Sequence, residues 1–109
     1  MRRWGCRPKS GSDEAYLRFL ASVMIPEMRA VPGNRGVRIL RRLDEAGAGT
    51  TIVVVSYWSD LDSIRAFAGL EPARAVVPDA AQALLQTYDR SVEHFAVEHS
   101  DPELIEATH

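Results

Sequence analysis

Hydrophobic positions along the chain repeat with two periods, and the change from one to the other marks the elements. From Thr51 to Trp58 the residues TIVVVSYW are β-branched or apolar almost without interruption, and no charge appears before Asp60. A strand of that kind is covered by protein on both faces, which makes it a central strand. Immediately after it, Leu61, Ile64, Phe67 and Ala68 fall at i, i+3, i+6 and i+7, one face of a helix over 60–68 that can lie back on the strand feeding it. Ser59 is placed to cap that helix, Asp62 completes a capping box, and Gly69 suits the left-handed residue after its end.

The remaining elements arrange themselves around this pair. Residues 1–7 alternate, with Arg3, Gly5 and Arg7 on one side and Arg2, Trp4 and Cys6 on the other, and predict a first strand. Ser12 then begins a long helix whose stripe runs through Leu17, Leu20, Ala21, Met24 and Met28, with Asp13 and Glu14 in the first turn where the helix dipole favours them. Pro26 removes a donor and crowds the preceding turn, so a kink or break is expected near Met24 and Ile25. The segment 31–36, VPGNRG, is a turn. Val37 to Arg42 predicts a second strand, joined to the central one by a hairpin over 43–49. Beyond Gly69, a short helical turn over 73–77, a helix over 80–86 and a last strand over 88–97 complete the series. The last strand sets Glu93, Phe95 and Val97 on one face and Val92, His94 and Ala96 on the other. Residues 99–109 form a polar tail, with a short helix predicted from Ser100, Asp101 and Pro102.

Strand, helix, strand, strand, helix, strand is the ferredoxin-like α+β arrangement, a four-stranded antiparallel sheet with helices on one face. One domain over 1–98 plus the tail accounts for all 109 residues. The chain's own helices cover one side of strand 51–58, so its second apolar side predicts a homodimer paired sheet to sheet.

Composition narrows the function mainly by exclusion. A hydrophobic content of 46% is ordinary for a soluble globular protein, and no apolar run approaches the ~20 residues of a membrane span. With no apolar signal region behind Arg2 and Arg3, a cytoplasmic protein without a membrane partner is expected. The single Cys6 has no disulfide or metal-binding mate, and without a basic neighbour in sequence it reads as a packing residue. Arg35, Arg38, Arg41 and Arg42 are not interleaved with aromatics, and the net charge is −2, so a nucleic-acid partner is not expected.

The PGNRGV turn into a strand, the strand end SYWSDLDSIRAFAG, then AVVPDA and VEHFAV resemble the antibiotic biosynthesis monooxygenase family of the dimeric α+β barrel superfamily, over about residues 1–98. The resemblance implies a sheet-to-sheet dimer with a ligand cavity in each subunit between helices and sheet. The family's members are less uniform in chemistry: some oxidise polycyclic aromatics such as anthrones without metal or flavin, some degrade haem, and many small members have no assigned activity. The haem branch carries a tryptophan and an axial histidine at positions that fall near Phe67 and Val77 here, so haem is disfavoured and no cofactor or metal is expected.

Cofactor-free oxygenation of an aromatic or polyketide-like molecule needs a base, aromatic walls and donors for developing negative charge. His94 is the first candidate, as base or as a satisfied core or interface residue. Trp58 matches the family's tryptophan at the end of the central strand, as cavity wall and indole donor or as core packing. Asn34 on the turn, Arg38, Tyr57 and Phe67 are candidate substrate contacts. Tyr57 and Trp58 face opposite sides, so only one of them lines a given cavity. A dimeric module that binds a hydrophobic ligand or protein without catalysis is the alternative.

Overall fold

The computed structural model describes residues 1–43 and 49–101. In chain order the elements are β1 (Arg2–Pro8), α1 (Asp13–Phe19), a π-helical turn (Leu20–Met24), α2 (Ile25–Arg29), β2 (Asn34–Arg41), β3 (Ile52–Trp58), α3 (Leu61–Ala68), α4 (Asp79–Gln82), β4 (Leu85–Tyr88) and β5 (Glu93–His94). The sheet is antiparallel in the order β2-β3-β1-β4, with β5 also on β1, which is the ferredoxin-like order. Strand β3 is central, as its two-sided apolar pattern requires. Most of the expected 43–49 hairpin and the tail helix from residue 102 lie outside the described residues.

Register decides what each face carries. Cys6 pairs with Ile52 and Trp4 with Val54, while Ile39 pairs with Val54 across the other edge. These residues meet Tyr16, Leu20, Met24 and Met28 from the long helix in one core. The alternate residues Val53, Val55, Tyr57, Arg3 and Arg38 fall on the open face, where this chain places no helix.

The structure departs from the sequence reading at six places, each with a physical reason. Pro26 does not break the helix. Ile25 N–H bonds to Leu20 O, five residues back, and this wider turn gives the proline ring room while the backbone stays helical through Ile25. The cap of α3 is Asp60, not Ser59: Asp60 Oδ1 accepts from Ser63 N–H at 2.8 Å and Ser63 completes the box. Ser59 instead donates its N–H to Gly33 O at 2.8 Å, binding the end of β3 to the turn before β2.

Of the other four, three lie in the second half of the chain and one at the start of β2. No helical turn forms over 73–77, because Ala73 O and Ala75 N–H pair with Val92 and Arg90. That pairing also splits the last strand. Residues 90–92 leave β1 to join 73–75, and Asp89 fills the gap by accepting Gly5 N–H on its carboxylate at 3.1 Å, so two short strands stand where one was expected. Helix α4 ends at Gln82 because Leu84 O already accepts from Lys9 N–H and Leu85 enters the sheet. Strand β2 in turn begins at Asn34 inside the expected turn, with a bulge between Asn34 and Gly36.

Gly33 has φ +96, and a Cβ there would stand 2.5 Å from Ser63 Cβ and 2.8 Å from Ser59 Oγ. Both the left-handed backbone and the close approach of the turn to α3 therefore require glycine. Gly33→Ala is expected to destabilise the fold by more than about 1 kcal/mol, read as a lower denaturant midpoint at unchanged slope.

Candidate functional site

Strand alternation carries the core face of the sheet past the end of its helical cover. Beyond Cys6 and Trp4 on β1 the next residue on that face is Arg2, and beyond Ile52 and Val54 on β3 come Ser56 and Trp58. His94 pairs with Arg2 across β5 and shares its side. An apolar layer thus continues into a row of polar and aromatic groups.

Arg2 is the centre of that row. Only 5% exposed, it donates from Nη1 to Pro72 O and to His94 Nε2, the latter at 3.1 Å, and from Nη2 to Arg74 O at 3.1 Å. Its guanidinium carbon stands 6.0 Å from the centroid of the Phe67 ring, which is stacked on Trp58 with centroids 5.6 Å apart. Burial holds the guanidinium below its ordinary range, at about 10, still charged at neutral pH.

His94 is exposed on its outer side, yet burial of its inner side, then the Arg2 charge, then the nearby terminal ammonium hold its imidazole below the usual histidine range. Because Nε2 accepts from Arg2, the proton of the neutral ring sits on Nδ1. The Trp58 indole N–H is engaged by Ser56 Oγ at 2.8 Å, so what it presents is its ring face.

Two spaces meet at this row. An inner cavity of about 50 Å³ lies between the helices and the sheet, bounded by Arg2, Ser56 and Phe67 with Leu20, Met24 and Met28, and it holds no more than a few waters. Among the described residues, the ligand cavity expected between helices and sheet is therefore not found there, because side chains of the long helix and α3 fill that space. An outer cleft of about 670 Å³ opens at the end of the sheet, with Trp58, His94, Leu61, Ile64 and Phe95 on its walls and Arg35 at its border. Its size is that of a small-molecule site. The Arg2–His94 contact joins the two, since Arg2 lines the first and His94 the second.

Of the residues singled out in the sequence, His94, Trp58 and Tyr57 line the outer cleft, while Phe67 stands behind Trp58 in the inner wall. That Tyr57 and Trp58 share one cleft corrects the expectation that only one of them would line a given cavity: the cleft opens at the end of the sheet, where both faces are reached. Asn34 pairs with Trp58 at the bulge, where its Oδ1 accepts from Arg29 Nη1 and Gly36 N–H, both at 3.0 Å, and its Nδ2 is buried without a protein partner. Neither space is lined by Asn34. Arg38 pairs with Val55 on the open face, away from His94 and Trp58. Cys6 lies in the core, where burial pushes its thiol up to about 11, so it stays protonated. Arg2 itself was not among the candidates. Its signal was its place on the apolar side of β1 beside Trp4 and Cys6, where a charge is out of pattern.

Among the described residues no group of three or more His, Cys, Asp or Glu is arranged to hold a metal ion, and no helix is long and apolar enough to cross a membrane.

Fold and site together define a ferredoxin-like α+β protein with a ligand-sized cleft at the end of its sheet. The sequence profile of the antibiotic biosynthesis monooxygenase family matches residues 6–79, and the chain belongs to that family. It is similar to the crystal structure of a mutant of SnoaB, a cofactor-independent oxygenase from Streptomyces nogalater, with a TM-score of 0.59 over 94% of this chain and 96% of that one, at 21% identity. At that identity the likeness establishes the fold alone. Comparison with the curated proteins gives no match.

A depressed imidazole carries a definite pH signature. Its folded pKa lies below its unfolded value of about 6.5, so the unfolded chain takes up the proton first as pH falls. The stability it contributes is whole above about pH 6.5 and is lost as pH drops through the folded pKa. Titration followed by NMR is expected to place His94 below about 6.5, and His94→Gln to remove part of the fall in stability on the acid side; a His94 titrating above 6.5 contradicts the Arg2 contact.

Proposed function

We propose that this chain is a cofactor-independent monooxygenase that uses dioxygen to oxidise an aromatic or polyketide-like molecule held in the outer cleft. The observation that carries the reading is the stack of Trp58 on Phe67, leading from a cleft of ligand size to a buried guanidinium and a neutral imidazole. Family membership and the shared fold with a cofactor-independent oxygenase support it.

In this reading the planar substrate lies against the Trp58 ring, which supplies apolar area with little loss of conformational freedom. His94 takes the proton from the acidic carbon or phenol, once its Nε2 lone pair is released from Arg2. The electron-rich anion then reacts with dioxygen. For an anthrone the balance is CH2 plus O2 giving C=O plus water, with the substrate as the reductant, so no added metal or flavin is required. We further propose that two chains pair through their open faces, covering Val53 and Leu40, the latter 48% exposed.

One observation favours the second reading, a binding module without catalysis: the only lone pair of the neutral imidazole is already engaged by Arg2. Oxygen uptake with an anthrone separates the two. Turnover by the wild type that falls about 10²–10⁴-fold in His94→Ala, with the fold intact, is the result expected of a base. Binding of the anthrone without oxygen uptake, at an affinity unchanged in the variant, supports the module instead.

The dimer is tested by size-exclusion chromatography with light scattering. A mass of two chains is expected, with an interface of about 1,200–2,000 Å² or more. A monomer at micromolar concentration contradicts the pairing of open faces.

A further inference from the structure

Arg2 is a buried cation without a counter-charge among the described residues. Its acceptors among the described residues are two carbonyl oxygens and an imidazole, all neutral, and no carboxylate of those residues forms an ion pair with it. Three hydrogen bonds are in place where a guanidinium carries five N–H groups. Taking such a charge out of water is costly unless an anion compensates it, and a strut that only pinned Pro72 and Arg74 to β1 would work as well without charge.

The partner on the cleft side is also the most easily moved. Pro72 O and Arg74 O belong to the backbone, whereas His94 holds Nη1 through an exposed side chain on a strand of two residues. Rotation of that imidazole into solvent uncovers Nη1 toward the outer cleft, beside the Trp58 ring that would hold an aromatic body, with Phe67 stacked behind it. An anionic oxygen offered there makes a charge-assisted hydrogen bond, which is stronger than the neutral contact it displaces.

We propose that Arg2 is the receiving group for a negatively charged oxygen of the ligand, a carboxylate or enolate carried on an aromatic body, and that this oxygen displaces His94. The inference deepens the proposed function and rests on its placing the ligand in the outer cleft, but not on oxygen chemistry. It gives the site a preference for acidic aromatics over neutral ones of the same shape. It also links binding to protonation, because the released imidazole loses the contact that favours its neutral form and gains a nearby anion that favours the charged one.

The experiment compares 2-naphthoate with 2-naphthylmethanol, the same ring with and without the charge, by calorimetric titration of the full chain at pH 7.5. Naphthoate is expected to bind roughly tenfold tighter or more, an advantage that Arg2→Gln abolishes while leaving the alcohol's affinity in place. In wild-type protein saturated with naphthoate, NMR titration is expected to show the His94 pKa raised over that of the free protein. That second measurement decides the matter alone should Arg2→Gln fail to fold. Equal affinities, no binding of naphthoate at millimolar concentration, or an unmoved His94 pKa at saturation each overturns the proposal. All three readouts are of binding, so absence of oxygen uptake, which would defeat the oxygenase reading, leaves this test standing.

Discussion

The strict two-residue alternation of β1 and β3 is the constraint from which the rest of the structure follows. Because Ile52, Val54, Trp4 and Cys6 must face the helices to form a core, Ser56, Trp58 and Arg2 are carried onto that same side beyond the point where the long helix covers it. The fold cannot bury the first set without presenting the second. A slip of one residue in register would exchange both sets for Val53, Val55, Tyr57 and Arg3, losing core and site together.

That geometry explains why the polar end of the layer is electrostatically unusual. Exposed pairs such as Arg3–Glu93 at 3.0 Å on the open face are screened by solvent and contribute little. Arg2, one residue away and on the opposite side, is enclosed; after burial its charge is the next cause that keeps His94 neutral, and its hydrogen bond fixes the tautomer. Arg2 and His94 both fall outside the 6–79 stretch matched to the family, whereas Trp58 and Phe67 fall inside it. The aromatic wall therefore belongs to the family segment, and the Arg2–His94 pair lies in the flanking strands of this chain.

Much of this architecture was legible in the residues. The apolar run of β3, the helix stripe through Leu20, Met24 and Met28, and the alternation of β1 were enough to place the ferredoxin-like sheet. What escaped had tertiary causes. The split of the last strand depends on residues 90–92 finding a partner in 73–75, a pairing across α4 and β4 that no local pattern announces. The π-helical turn at Pro26 is one of several ways to accommodate a proline, and packing chose it. At the site, the residue types and strand faces pointed to Trp58 and His94, but the hydrogen bond from Arg2 to His94 joins residues 92 positions apart and could be read only from the folded chain.

The proposed function requires an aromatic ligand in the outer cleft against Trp58. A crystal structure of the protein with a bound anthrone tests this most directly. The ring system is expected to pack on the Trp58 face, with its oxygen directed at the Arg2 and His94 pair. An anthrone bound instead on the open face beside Arg38, with the cleft left to solvent, would contradict it.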